Sequence, residues 1–134
     1  MATIKINYQG QLRTEMTHLQ SGKKLITDAP TDNHGKGESF SPTDMVAGAL
    51  CSCMLTIIGI AAENHNFSID GAEATVTKIM QKEPRRIGEV IVDICFPKKY
   101  TDKEKRIIEK AALSCPVHHS LHPDVKKTIN FNYI

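Results

Sequence analysis

The chain has 134 residues and carries 17 Lys and Arg against 15 Asp and Glu, a formal charge of +2. That length suits one domain with a modest core, and a near-neutral charge spread along the chain offers no basic face for nucleic acid or an anionic membrane. Aromatic residues are only 5% of the sequence, too few for base-stacking platforms, and residues 1–10 lack the apolar run of a secretory signal, which predicts a cytoplasmic protein.

Residues 3–8 alternate, with Ile4, Ile6 and Tyr8 on one face and Thr3, Lys5 and Asn7 on the other. Gln9-Gly10 reads as a turn. Residues 11–19 form a second extended run with Leu12 and Met16 opposite Arg13 and Glu15, and Ser21-Gly22 turns the chain into a third at 23–27. Together these predict an antiparallel meander, followed by a loop over 29–40 dense in turn-forming residues.

The rest of the chain is organised around residues 41–65, SPTDMVAGALCSCMLTIIGIAAENH. Ser41 is a helix cap, Pro42 occupies the first helical position, and Asp44 lies three residues past the cap. No charged residue falls between 45 and 62, and a helix without a polar side is expected to be buried all round. The stretch is just long enough to suggest a membrane span, but Ser, Thr, two Gly and several Ala without aromatic belts argue against one. A small sheet covers only one side of such a helix, so a second subunit is expected on the other.

Residues 72–80 and 89–96 read as two strands joined by a charged connection at 81–88, with Val90, Val92, Ile94 and Phe96 on one face. Thr101 and Glu104 form a capping box that opens a second helix. Its apolar stripe is Ile107, Ile108, Ala111, Ala112 and Cys115. Pro116 ends that helix, residues 117–121 make a short turn, and 127–134 form a closing strand. The order βββ–α–ββ–α–β predicts a single α+β domain over residues 1–134 whose sheets wrap the long helix.

Four cysteines without a secretion signal do not suggest a disulfide framework. Cys51 and Cys53 point roughly 200° apart on a helix and cannot bridge each other. They cannot chelate a metal together either, and Cys115 with His118 is one ligand pair rather than a site. Cys95 is given no role. Cys115 ends an inward stripe and directly precedes Pro116, where free backbone N–H groups of a following helical turn would favour a thiolate. If Cys115 faces the central helix it meets one of the two thiols there. On spacing alone, redox chemistry and core packing both remain open.

SPTDMVAGALCSCM and, farther on, SCPVHHSL resemble the two thiol signatures of the OsmC/Ohr family of hydroperoxide-reducing proteins. The resemblance implies an OsmC-like α+β fold, antiparallel sheets wrapped around a long central buried helix, as an intertwined homodimer. Aligning Pro42 with the family's proline places Cys53, not Cys51, at the reactive position, and Cys115 at the second cysteine. It implies a thiol peroxidase acting on organic hydroperoxides and hydrogen peroxide in oxidative stress defence, without cofactor or metal. The Cys53 thiolate would attack the O–O bond, Cys115 would condense with the sulfenic acid to a disulfide, and an external dithiol would restore both.

Because burial raises a thiol pKa, a cation or a hydrogen-bond donor must be supplied. Arg13 matches the arginine that similar proteins use. Where the organic-hydroperoxide branch has a glutamate after the proline, this chain has Thr43, and Glu38 is the candidate substitute as partner of Arg13. His118 stands where relatives tend to have His, with a supporting role beside Cys115. Two other readings of the same fold are a non-catalytic redox sensor and a binding protein for a small apolar ligand.

Overall fold

The structure is a computed structural model that describes residues 1–134. It forms two compact units, Met1–Val46 and Ala47–Ile134.

In the first unit, β1 (Ile4–Gly10), β2 (Arg13–His18) and β3 (Lys24–Asp28) form the expected antiparallel meander. The β1–β2 turn carries Gly10, Gln11 and Leu12 all at positive φ (85°, 56° and 64°), so a glycine is needed where the turn opens. The register sets Ile6 against Met16 and Met16 against Leu25, and at the open end it sets Arg13 against Asp28. Ile6, Tyr8 and Leu25 remain 56%, 67% and 56% exposed, so this face of the sheet has no core of its own within one chain. After a 3-10 turn at Thr31–Asn33, Gly35 donates its N–H to Pro30 O at 2.9 Å. A Cβ there would overlap the Ala29 carbonyl.

Ser41 and Asp44 cap α1 (Pro42–Asn64) reciprocally. Ser41 N–H donates to Asp44 Oδ2 at 2.9 Å and Asp44 N–H to Ser41 Oγ at 3.1 Å, which satisfies two donors that a helix start leaves open. The helix begins in the first unit and passes into the second. By length and composition alone it could cross a membrane. Here Ala47, Leu50, Cys51, Met54, Ile58 and Ala62 are buried, a spacing of three and four that marks one face. Burial on all sides was expected and does not hold within one chain: Gly48, Ala49, Ser52 and Thr56 face outward, and Ile60 is 51% exposed. One three-stranded sheet and one helix pair supply wall enough for a single face.

The second unit packs that face with β4 (Glu73–Gln81), β5 (Arg86–Cys95), α2 (Asp102–Leu113), α3 (Pro116–Ser120) and β6 (Lys126–Asn132). The sheet order is β4-β5-β6. The β4–β5 hairpin is antiparallel, but β6 pairs parallel to β5, Val92 lying opposite Ile129. Two helices intervene between those strands, which is the crossover a parallel pair needs. The hairpin strands run farther than expected, leaving 82–85 as the connection. The added residues Gln81, Arg86, Ile87 and Gly88 include one large apolar side chain, so no apolar alternation marks them in the sequence. Thr101 and Glu104 cap α2 reciprocally at 3.1 and 2.9 Å, as predicted. Leu50, Met54, Ile58, Val90, Val92, Ile94 and Ile108 are the largest fully buried apolar residues. Truncation of Ile58 to Ala should cost about 2–5 kcal/mol in chemical denaturation, whereas Thr56→Ala on the outer face should change stability by about 0.5 kcal/mol or less.

Candidate active site

Four free thiols occupy different settings. Cys95 ends β5 and is exposed. Cys51 lies on the buried face of α1, and burial pushes its thiol up. Cys53, two positions on, is half-buried and packs against the edge of the core.

Cys115 is fully buried and caps α3, with Pro116 at the first helical position as expected. Its Sγ accepts the His118 backbone N–H at 3.4 Å and lies 3.9 Å from Leu50 O on α1. The Cys53 side chain lies close enough to the Cys115 thiol to influence its proton. Of the two thiols on α1, the second therefore meets Cys115, because Cys51 turns into the core and Cys53 toward α3. The expected thiolate at Cys115 is corrected. Burial first and the Cys53 sulfur next push the Cys115 thiol up, against the opposing pull of the His118 and Val117 N–H groups. A helix of five residues has too little dipole to outweigh full desolvation.

Cys115 thus keeps its proton. A thiol whose folded pKa is raised contributes stability below its unfolded value and loses it as pH climbs past that value. Wild type should consequently lose more stability than Cys115→Ala when unfolding is followed from pH 8 to pH 11, and parallel curves would contradict that.

His118 is half-buried, and burial first, then Lys127 and His119, push its imidazole down. It is neutral at neutral pH, and its contact with Cys115 runs through the main chain. His119 stands edge-on to it, ring centroids 5.8 Å apart.

Arg13, Asp28 and Glu38 form a second cluster, within the first unit. Arg13 Nη2 lies 3.4 Å from Asp28 Oδ2 and 3.2 Å from Glu38 Oε1, so Glu38 is the partner of Arg13 that the sequence suggested. Asp28 was not anticipated. Its side chain is 1% exposed, and Oδ2 also accepts the Glu38 N–H at 3.0 Å. That N–H and the Arg13 guanidinium hold the carboxyl below its usual range, while the two carboxylates raise Arg13, Asp28 foremost. The signal lay in the meander: a turn at Ser21-Gly22 registers Arg13 opposite Asp28. The Thr43 hydroxyl lies 3.2 Å from Ser41 Oγ within the α1 cap.

Along α1 and α2 a groove of about 510 Å³ is lined by Ile57, Ile60, Ala61, Ile107 and Ala111 together with Asn64, His65, Lys110 and Ser114. It starts one turn beyond Cys53.

A family model described as OsmC-like protein matches residues 35–130. No match is found among curated proteins. Among solved structures, the chain is similar to a Psychrobacter arcticus protein named for an osmotic stress induced detoxification response, at 51% identity and TM-score 0.95, covering 98% of this chain and 96% of that one. An organic hydroperoxide resistance protein OsmC from Legionella pneumophila shares the fold at 16% identity and TM-score 0.77, covering 98% of each chain. An OsmC-like protein from Mycoplasma pneumoniae does so at 16% identity and TM-score 0.81, over 98% and 95%.

Proposed function

The chain belongs to the OsmC-like protein family, and on that premise we propose that it is a cytoplasmic thiol peroxidase that reduces organic hydroperoxides, and hydrogen peroxide, in oxidative stress defence. The observation that carries this reading is the closeness of the Cys53 side chain to the buried Cys115 thiol, which it pushes up. Two neighbouring sulfurs on separately anchored helices need little movement to join and part.

Cys53 is the nucleophile. Its thiolate attacks the hydroperoxide, an S–O bond forms, the O–O bond breaks, and the departing alkoxide takes a proton and leaves as alcohol. Cys115 is the resolving thiol. It attacks the sulfenic sulfur and yields its proton to the leaving hydroxide, so water departs and a disulfide forms. A thiol that holds its proton until that moment suits the step. An external dithiol then reduces the disulfide by exchange. Arg13 is the cation that the family resemblance assigns to the thiolate and the developing alkoxide. Glu38 assists by engaging Arg13, and His118 by donating its backbone N–H to Cys115. The groove one turn beyond Cys53, with Ile57, Ile60, Ala61, Ile107 and Ala111 in its lining, suits an alkyl chain, which favours organic hydroperoxides.

The active form is a homodimer in this proposal. Ile6, Tyr8 and Leu25 on the sheet and Ile60 on α1 are apolar and exposed, more than a small monomer usually leaves in water. Light scattering should return about twice the chain mass of 14.9 kDa.

The decisive assay supplies an alkyl hydroperoxide, or hydrogen peroxide, with excess dithiol. Many turnovers per chain, with a Cys53–Cys115 disulfide trapped when dithiol is withheld, are expected. One oxidising equivalent per chain and no more would identify a sensor. Thiols that resist alkylation until the chain unfolds would identify core filler.

A further inference from the structure

Cys115 stands where two helices meet. α2 ends at Leu113, Cys115 itself is extended (φ −61°, ψ 129°), and α3 runs for only five residues from Pro116. Pro116 brings no N–H, so the open donors of the first turn are those of Val117, His118 and His119. One residue answers them. Cys115 Sγ accepts the His118 N–H at 3.4 Å and draws on that of Val117 as well, and Cys115 O accepts the His119 N–H at 3.1 Å. Little else holds α3. None of its residues is fully buried, and its apolar grip on the core is Val117, with Leu121 just past its end. A helix needs about 12–15 residues to stand without tertiary support, so the cap decides whether this one stays wound.

The capping sulfur is also the one that the proposed disulfide requires. In the reduced protein it lies 3.9 Å from Leu50 O, with the Cys53 side chain, about one turn farther along α1, near enough to influence its proton. Disulfide formation breaks two S–H bonds, makes one S–S bond and turns the Cys115 sulfur toward α1. Its lone pairs cannot then stay on the first turn of α3. From this we infer that Cys115 makes α3 a redox latch, wound while Cys115 is a thiol and unwound once Cys115 is bonded to Cys53. The inference rests on the thiol pairing of the proposed function and deepens it, because it gives the reductant a route. With α3 wound, Cys115 is 0% exposed, and an external thiolate has no line of attack on its sulfur. Unwinding uncovers that sulfur. The external dithiol attacks it and Cys53 leaves as thiolate. The second external thiol then expels Cys115, which takes a proton and caps α3 again.

Amide hydrogen exchange on the full chain reads the latch directly. One sample is held reduced by excess dithiol. The other is oxidised with diamide, whose N=N bond takes up the two electrons and two protons that the thiols release, and peptide mapping locates the disulfide. The Val117, His118 and His119 amides should exchange about tenfold faster or more in the oxidised chain. Ile107 and Ile108, in the middle of α2, should stay within about twofold. Cys53→Ser blocks the disulfide and should keep α3 slow with or without diamide. Cys115→Ser keeps an oxygen as cap and should do the same. Cys115→Ala has neither cap nor disulfide and should exchange fast in both states.

Equal exchange of the α3 amides in the two states, with the Cys53–Cys115 bond mapped, would overturn the latch and leave the thiol pairing intact. Failure of diamide to join Cys53 and Cys115 would overturn the pairing, and both readings with it. A chain that forms the bond and unwinds α3 but turns over no hydroperoxide would overturn the peroxidase reading alone. Should Cys115→Ala not fold, wild type compared with Cys115→Ser decides, since both are capped when reduced and only wild type can lose its cap on oxidation.

Discussion

Replacing Cys53 by Ser should reduce hydroperoxide turnover by about three orders of magnitude or more, a loss of about 4 kcal/mol in transition-state stabilisation. The reason is electronic rather than steric. Ser is nearly the same size, but its hydroxyl stays protonated near neutrality and its oxygen cannot be oxidised to the equivalent of a sulfenic acid. Half-buried Cys53 should tolerate the change without unfolding. Cys51→Ala is the companion variant. Cys51 faces the core and its thiol is pushed up by burial alone, so turnover should remain within about twofold while stability falls by about 1 kcal/mol. Measuring kcat/KM for both variants with one alkyl hydroperoxide checks the register along α1. Equal losses would mean that the nucleophile has been assigned to the wrong turn.

Much of this site is legible in the sequence because local rules decide it. Ser41-Pro42-Thr43-Asp44 and Thr101-Asp102-Lys103-Glu104 start their helices through their own side chains. A two-residue offset turns Cys51 and Cys53 apart whatever surrounds them. Properties set by the surroundings are harder to read. The uncharged stretch of α1 gives no hint of which face meets the core, because apolar residues occupy every side and only tertiary packing chooses among them. Cys115 shows the same limit in electrostatics. Its place before Pro116 argues for a thiolate, yet its complete burial, known only from the fold, reverses the sign. Asp28 lies between these cases. It ends a strand and looks like a turn residue, and only counting register back through Ser21-Gly22 puts it beside Arg13.

Cys115→Ser should separate the two halves of the catalytic cycle. Serine is among the best helix caps, and its oxygen can accept the His118 N–H that Cys115 Sγ now accepts, so α3 should survive. The first step needs only Cys53. The variant should consume one equivalent of hydroperoxide per chain in a burst whose rate lies within about tenfold of wild type, since the influence of one neighbouring thiol on Cys53 is worth about one factor of ten at most. After the burst no sulfur is left to expel the hydroxide. Mass spectrometry should find Cys53 one oxygen heavier, and excess hydroperoxide should drive it on to the sulfinic acid, which thiols do not reduce. Multiple turnover with dithiol should fall by about two orders of magnitude, because resolution becomes a bimolecular encounter instead of a reaction between neighbouring groups of one chain. If multiple turnover persists at the wild-type rate, Cys115 is a packed core thiol, and the external dithiol attacks the Cys53 sulfenic acid directly.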